Sequence, residues 1–311
     1  MSEADQHRLI FFGNERLATG ITTNAPVLQA LIAAGYDIAA VVVAQKDSAN
    51  SRKSRQLEIA TIAEQHQIPV IAPSRLSEAI DQLKSYQAEA GILIAYGKIV
   101  PQAVIDSFPR GIINLHPSLL PKHRGPTPLE NVILNDEKET GVSLMQLAAD
   151  MDAGPIFAQE TVLLNGTETK QALADQLLGL GSAMLLEALP TILAGNLEAV
   201  MQDELAATYD KKIDRLDGLL SSADYTESAQ MLVCKARAYA GWPRLKTTIG
   251  VSEIAITKAH SIEGDGVPGT IYLQDGVIGI YASKGIFILD SLIPSGRKEM
   301  TAHDFLLGYT P

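Results

Sequence analysis

The feature that most constrains the fold of this chain is the alternation, in its first half, of short apolar runs with amphipathic segments. Residues 9–13 (LIFFG), 38–44, 70–71, 91–95 and 112–115 are apolar runs of the kind that strands buried on both faces require. Between them, residues 24–35, 57–66, 76–84 and 101–107 carry apolar side chains at helical spacing. This alternation predicts an α/β domain with a doubly wound, mainly parallel, Rossmann-like sheet. Two later strands, 141–147 and 156–162, and a long amphipathic helix over 170–194 complete it. The texture then changes. Residues 196–207 read as a connection and 228–239 as one helix. Short strand runs at 253–259, 269–273, 276–281 and 285–292 follow, separated by Gly and Asp-Gly turns, which is the spacing of a small OB-like β-barrel. The expected division is 1–195, a linker 196–207, and 208–311; a chain of 311 residues is also too long for one ordinary core.

Composition narrows the chemistry. The single cysteine, Cys234, excludes an internal disulfide and a cysteine-rich metal site, and its apolar-periodic neighbours mark it as packing. No run of 18 apolar residues predicts a membrane span, and the acidic start lacks the features of a secretory signal, so a cytoplasmic protein is expected. The net charge of −11 argues against a nucleic-acid partner only as a sum. Residues 208–311 hold 11 basic and 12 acidic residues, so nearly all the negative charge lies before them. Against that acidic background residues 46–55 (KDSANSRKSR) hold four basic residues and one acid, either a solvated loop or a contact for phosphate.

The informative stretch is 111–155. Asn114 and His116 end a buried strand and, two apart, point to one face of it. Ligands of open α/β sheets bind beyond the carboxyl ends of the strands, so this pair can touch a substrate; it can equally satisfy the backbone of the next turn. Residues 117–128 (PSLLPKHRGPTP) hold four prolines, a stiff loop whose Leu119 and Leu120 can line an apolar slot. Asp152, before a Gly-Pro break, reads either as a turn residue or as a carboxylate that returns beside His116.

Asn114, His116 and Asp152, with Ser118-Leu119-Leu120-Pro121 and Thr140-Gly141-Val142 between them, resemble the signature of the 10-formyltetrahydrofolate formyltransferases. The likeness extends along most of the chain, from FFGN at 11–14 onward. AYGKIVP at 95–101 resembles the segment that helps form the family's pterin pocket. The resemblance implies transfer of a formyl group from 10-formyltetrahydrofolate to an amine, without a metal. It implies Asn114, His116 and Asp152 as catalytic residues, and Tyr96, Gly97, Ile99, Ser118, Leu119, Leu120 and Pro121 as the folate-binding set. His116 would donate to the tetrahedral oxyanion and relay a proton, Asn114 would hold the formyl oxygen and the amine in line, and Asp152 would compensate a charged imidazole or take the amine proton.

The C-terminal segments 208–213 (TYDKKI), 241–247 (GWPRLKT), 268–271 (PGTI) and 304–309 (DFLLGY) resemble the second domain of the branch that formylates methionyl-tRNA. That likeness implies initiator methionyl-tRNA as partner and a role in translation initiation. Arg52, Lys53 and Arg55 would meet the acceptor arm, and Lys211, Lys212, Arg237, Arg244 and Lys246 would hold the tRNA further along. A monomer is the expected state. The chain departs from the family pattern in three places, one of them MDAGPI at 151–156, which is closer to the family's ribonucleotide branch than to the usual Leu-Asp-Thr-Gly-Asp. QKDSANSRKSRQ at 45–56 replaces a Gln-Pro-Asp-x-Pro loop, and His123 stands at the aromatic position of Pro-Arg-aromatic-Arg-Gly. His123 is expected at the rim of the site, and His7, His66, His260 and His303 on the surface. Three alternatives stay open: an amino-sugar nucleotide as acceptor, a hydrolase that releases formate, and a non-catalytic nucleic-acid-binding module.

Overall fold

A computed structural model describes residues 7–44 and 57–309. The first unit runs β1 (Arg8–Gly13), α1 (Pro26–Ala33), β2 (Asp37–Val42), α2 (Glu58–Gln65), β3 (Val70–Ile71), a 3-10 turn (Leu76–Ala79), α3 (Ile80–Ser85), β4 (Ala90–Ile94), α4 (Gln102–Ile105), β5 (Ile112–His116), α5 (Pro128–Leu134), β6 (Glu139–Gln146), β7 (Ile156–Leu163) and α6 (Lys170–Ala194). The sheet has the order β3-β2-β1-β4-β5-β6-β7. β1 to β5 pair in parallel, and β6 and β7 are added antiparallel. This is the expected doubly wound sheet, and its strand order reverses between β1 and β4, where such folds open a crevice.

Helices cover both faces, which is why β1 to β5 are mainly apolar. Phe11, Ile113 and Leu115 pack in one core with Leu28 of α1 and Leu177 and Leu185 of α6. Ile10, Phe12 and Ile112 pack on the other face with Leu83 of α3 and Val104 of α4. Helix α6 starts where Thr169 Oγ1 accepts from the Ala172 N–H at 3.2 Å, and it ends at Gly195 in the left-handed region. Helix α6, 25 residues long with an 18-residue window of mean hydropathy 1.7, meets the length and composition of a membrane span. Its buried Leu173, Leu177, Leu185 and Leu189 supply core to this unit, where it packs against α1, β6 and β7. Gly181 lets it come close to β5: a Cβ there would lie 2.4 Å from Leu115 Cδ1.

The second unit contains α7 (Ala229–Ala238), β8 (Leu245–Ile249), β9 (Ser252–Ile262), β10 (Ile271–Gln274), β11 (Val277–Tyr281), β12 (Ile286–Pro294), β13 (Met300–Thr301) and α8 (Ala302–Gly308). Its antiparallel sheet runs β10-β11-β12-β9-β8, and β13 pairs with β12. The sequence reading anticipated β9 to β12 but not β8, β13 or α8. β8 (LKTTI) buries only Leu245 and Ile249, too few apolar residues to announce a strand; pairing with β9 defines it.

The units meet along a packed seam. α5 lies against α7. The Lys170 ammonium, 1% exposed in its side chain, donates to the carbonyls of Thr19 and Trp242, each at 2.8 Å, and faces Glu130 Oε1 at 3.4 Å. Burial pushes the Lys170 pKa down and the Glu130 pKa up, while their mutual attraction opposes both shifts.

Candidate active site

Asn114 and His116 lie on β5, each 5% exposed. Strand alternation sends Ile113 and Leu115 into the core under α6, and so turns Asn114 and His116 to the opposite face. The His116 ring is oriented by its own loop: Nε2 lies 2.9 Å from the carbonyl oxygen of His123. A carbonyl only accepts, so Nε2 carries the proton. Nδ1 is thereby directed toward Asp152, whose Oδ1 is 3.7 Å away. Asp152 is itself fixed. Its Oδ2 accepts from the Gly125 N–H at 2.8 Å, and its carbonyl accepts from Gln202 Nε2 at 2.8 Å. Gly125 is required there, because at φ 118° a Cβ would come within 2.7 Å of the Asp210 carbonyl oxygen. Among the described residues the Asn114 amide has no hydrogen-bond partner, which leaves it available to a ligand.

The proline-rich loop is tied down at both ends. Ser143 Oγ of β6 donates to the Ser118 carbonyl at 2.6 Å and accepts from the Leu120 N–H at 3.1 Å. Gln159 of β7 donates to the Leu120 carbonyl at 2.8 Å, and Ser118 Oγ donates to the Lys122 carbonyl at 2.7 Å. Beyond Pro121 the loop meets the connection between the units. The Thr208 N–H donates to the Pro121 carbonyl, the Arg124 N–H to the Thr208 carbonyl, and the Asp210 N–H to the Arg124 carbonyl, at 3.1, 2.9 and 2.7 Å. Arg124 is fully buried. Its guanidinium donates to Gln202 Oε1, to both oxygens of Glu204 and to the Tyr209 hydroxyl, at 2.7–3.1 Å. The hydrogen bond it donates to Glu204 is the main reason its pKa lies above the ordinary arginine value.

His123 differs from expectation. It is not at a rim but buried, with Nδ1 3.1 Å from Asp210 and Nε2 2.8 Å from Glu137. Burial opposes its charge, but the two carboxylates outweigh that effect and raise its pKa. The connection at 196–207, read as a plain linker, supplies Gln202 and Glu204 to this network, and Thr208, Tyr209 and Asp210 follow directly. No local sequence signal could show this, since the partners lie about eighty positions away along the chain.

The other expected site residues fall into three groups. Tyr96, Gly97 and Ile99 follow the carboxyl end of β4, beside β5. Tyr96 is buried edge-to-face on Phe12 at 6.0 Å, and burial raises its pKa; Gly97 borders open space, and Ile99 is 84% exposed. Ser118 and Leu120 are buried in the loop, with Leu119 and Pro121 half-buried. Lys211, Lys212 and Arg244 are exposed, and Lys246 pairs with Glu253 at 3.2 Å. Arg237 instead turns into the seam, donating to the Glu168 carbonyl at 3.1 Å and lying 3.8 Å from Asp136. Arg52, Lys53 and Arg55 lie outside the described residues.

Near the β1/β4 crevice, where nucleotide-binding relatives of this sheet hold a phosphate at a helix N-terminus, Glu15 fills the position. Its buried carboxylate accepts from the Val27 and Leu28 N–H groups of α1 at 2.9 and 2.8 Å. Burial raises its pKa to about 7 against those two hydrogen bonds.

A formyl transferase family model matches residues 16–189, and a formyl transferase C-terminal domain model matches residues 220–310. The chain belongs to the formyl transferase family. Among its relatives, the methionyl-tRNA formyltransferase of Roseobacter denitrificans is 33% identical over 304 residues, spanning 97% of this chain and 95% of that protein. The methionyl-tRNA formyltransferase of Chloroflexus aurantiacus is 35% identical over 311 residues, 97% of this chain and 96% of the relative. The fold resembles that of the N-formyltransferase from Helicobacter canadensis in complex with folinic acid and dTDP-3-aminofucose. That match has a TM-score of 0.65 at 19% identity and covers 91% of this chain and 97% of that one.

Proposed function

We propose that this protein transfers the formyl group of 10-formyltetrahydrofolate to the α-amino group of initiator methionyl-tRNA, in the cytoplasm, for translation initiation. The observation that carries the reading is the nearly end-to-end identity of 33–35% with methionyl-tRNA formyltransferases, across both units. A sugar-amine acceptor is the second reading, prompted by the fold likeness to the Helicobacter enzyme; that likeness has only 19% identity.

In this reading residues 1–195 carry the chemistry, 208–311 hold the tRNA through Lys211, Lys212, Arg244 and Lys246, and 196–207 join them. Arg52, Lys53 and Arg55 meet the acceptor arm, and the protein acts as a monomer. The folate lies against the segment of Tyr96, Gly97 and Ile99 and the loop of Ser118 to Pro121, without a metal. The amine lone pair attacks the formyl carbon, and a C–N bond forms as the carbonyl oxygen becomes an oxyanion. Because His116 Nε2 is committed to the His123 carbonyl, Nδ1 is the nitrogen that works. In the imidazolium form Nδ1–H donates to the oxyanion, with Asp152 as counter-charge. Asn114 donates its amide N–H to the same oxygen. The amine proton leaves to Asp152, directly or through water, and a proton is returned to the folate nitrogen as its bond to the formyl carbon breaks. An α-amino group with a pKa of roughly 7.7–8.0 is partly neutral near pH 7, so no stronger base is needed.

The test is to incubate the protein with 10-formyltetrahydrofolate and methionyl initiator tRNA and measure formylmethionyl-tRNA, with His116→Ala as control. Product that vanishes in the control supports the reading. Folate turnover without formylated tRNA moves the acceptor to a small amine or to water.

A further inference from the structure

His123 holds both of its ring nitrogens against carboxylates, Asp210 at 3.1 Å and Glu137 at 2.8 Å, in a side chain only 8% exposed. Carboxylates accept, so both nitrogens donate and the ring is cationic. The two acceptors come from different places. Glu137 follows α5, whereas Asp210 lies beyond the connection, at the start of the second unit's chain. The charges nearby include Arg124, held by Glu204, Gln202 and Tyr209, Asp152, held by the Gly125 N–H, and Glu130, which acts on Asp210 through space. The His123 backbone is left-handed, at φ 59°, a conformation that a histidine keeps only when its surroundings fix it. The His123 N–H donates to Thr208 Oγ1 at 2.8 Å, so ring and backbone are both held by residues 208–210. The outcome of this clamp is the direction of one carbonyl, the one that receives the His116 Nε2–H.

We infer that His123 is a positioning residue for His116: clamped between Asp210 and Glu137, it presents its carbonyl to Nε2 of His116 and thereby fixes which ring nitrogen faces Asp152. The segment that begins the second unit is thus a working part of the catalytic centre, and not only a tether for tRNA. With the His123 carbonyl turned away, the His116 proton can move to Nδ1 in the neutral ring, and the ring can rotate off the line to Asp152. Substrate binding, which runs through other residues, is unaffected. The inference rests on the proposed role of His116 in formyl transfer.

The experiment uses the full chain with two variants, His123→Asn and Asp210→Asn. Asparagine tolerates the left-handed backbone, so the first removes the ring clamp without forcing the main chain. Two quantities are read. In steady-state formylation of methionyl-tRNA, kcat falls on the order of tenfold to a hundredfold while KM for folate and for tRNA stays within about twofold. In 15N-histidine-labelled protein, the His116 signals, assigned by their loss in His116→Ala, change from a ring protonated at Nε2 to a mixture of tautomers. Unchanged kcat overturns the inference. So does a lower kcat with an unaltered His116 proton pattern, and so does loss of the folded circular dichroism spectrum in both variants, since either makes the cluster a structural staple. If wild type forms no formylmethionyl-tRNA while the His116 tautomer responds as stated, the proposed function fails and the positioning stands.

Discussion

Lys170 donates to the backbone carbonyl of Trp242 at 2.8 Å, so one buried cation ties the α/β unit to the turn that opens β8. Its charge is balanced by Glu130, whose Oε2 has no hydrogen-bond partner among the described residues. Lys170→Met leaves Glu130 as a buried carboxylate without its cation and is expected to cost about 3–5 kcal/mol. Adding Glu130→Gln should recover a large part of that. Urea unfolding of the two variants measures it; a double variant no more stable than the single one would show that the Trp242 contact, not the charge, is what matters.

Asp152→Asn keeps an oxygen for the Gly125 N–H but removes the negative charge 3.7 Å from His116. Turnover should fall by roughly 10²–10⁴-fold with folate affinity little changed. Steady-state kinetics with folate titration checks this, and a defect confined to KM would refute the assignment.

Glu15 gives a pH signature in stability. Its pKa rises from 4.5 to about 7 on folding, so the folded state holds the proton more tightly. Its contribution is fully present below pH 4.5 and is lost as pH rises through about 7, a change on the order of 3 kcal/mol. Glu15→Gln, which has no such proton to lose, should flatten that part of the profile. Melting temperatures from pH 4.5 to 8 read it out; identical slopes for both proteins would place the effect elsewhere.

Arg124→Lys replaces a planar fork with a single point charge, although Glu204, Gln202 and Tyr209 were all met by that fork. At least two hydrogen bonds are lost in a fully buried place, so a loss of about 1–3 kcal/mol is expected. Differential scanning calorimetry measures this, and a melting point equal to wild type would contradict it.

The basic residues of the second unit should separate into two kinds. Lys211→Ala with Lys212→Ala should raise KM for tRNA and flatten its salt dependence, leaving KM for folate unchanged, since both side chains are exposed. Arg237→Ala should instead lower stability, because its guanidinium sits in the seam against Glu168 and Asp136. Equal effects of the two on KM for tRNA would undo the distinction.

What the sequence by itself determined is the local and periodic part. The apolar runs marked five parallel strands, because a strand covered on both faces is mostly apolar. The stretch from Asn114 to Asp152 pointed to the chemistry only through its resemblance to the formyl transferase family, which the family model over 16–189 bears out. What only the tertiary structure decided is how those residues are held. His116 takes its tautomer from a carbonyl seven residues on, and that carbonyl is aimed by Asp210, 87 positions from His123. Arg124 and Arg237 look alike as surface cations in a sequence, yet both guanidiniums turn inward, Arg124 onto Glu204 and Gln202 and Arg237 onto the Glu168 carbonyl. Hydrogen bonds between distant segments depend on which strands and loops the fold brings together, and a linear pattern of hydrophobicity and charge does not carry that information.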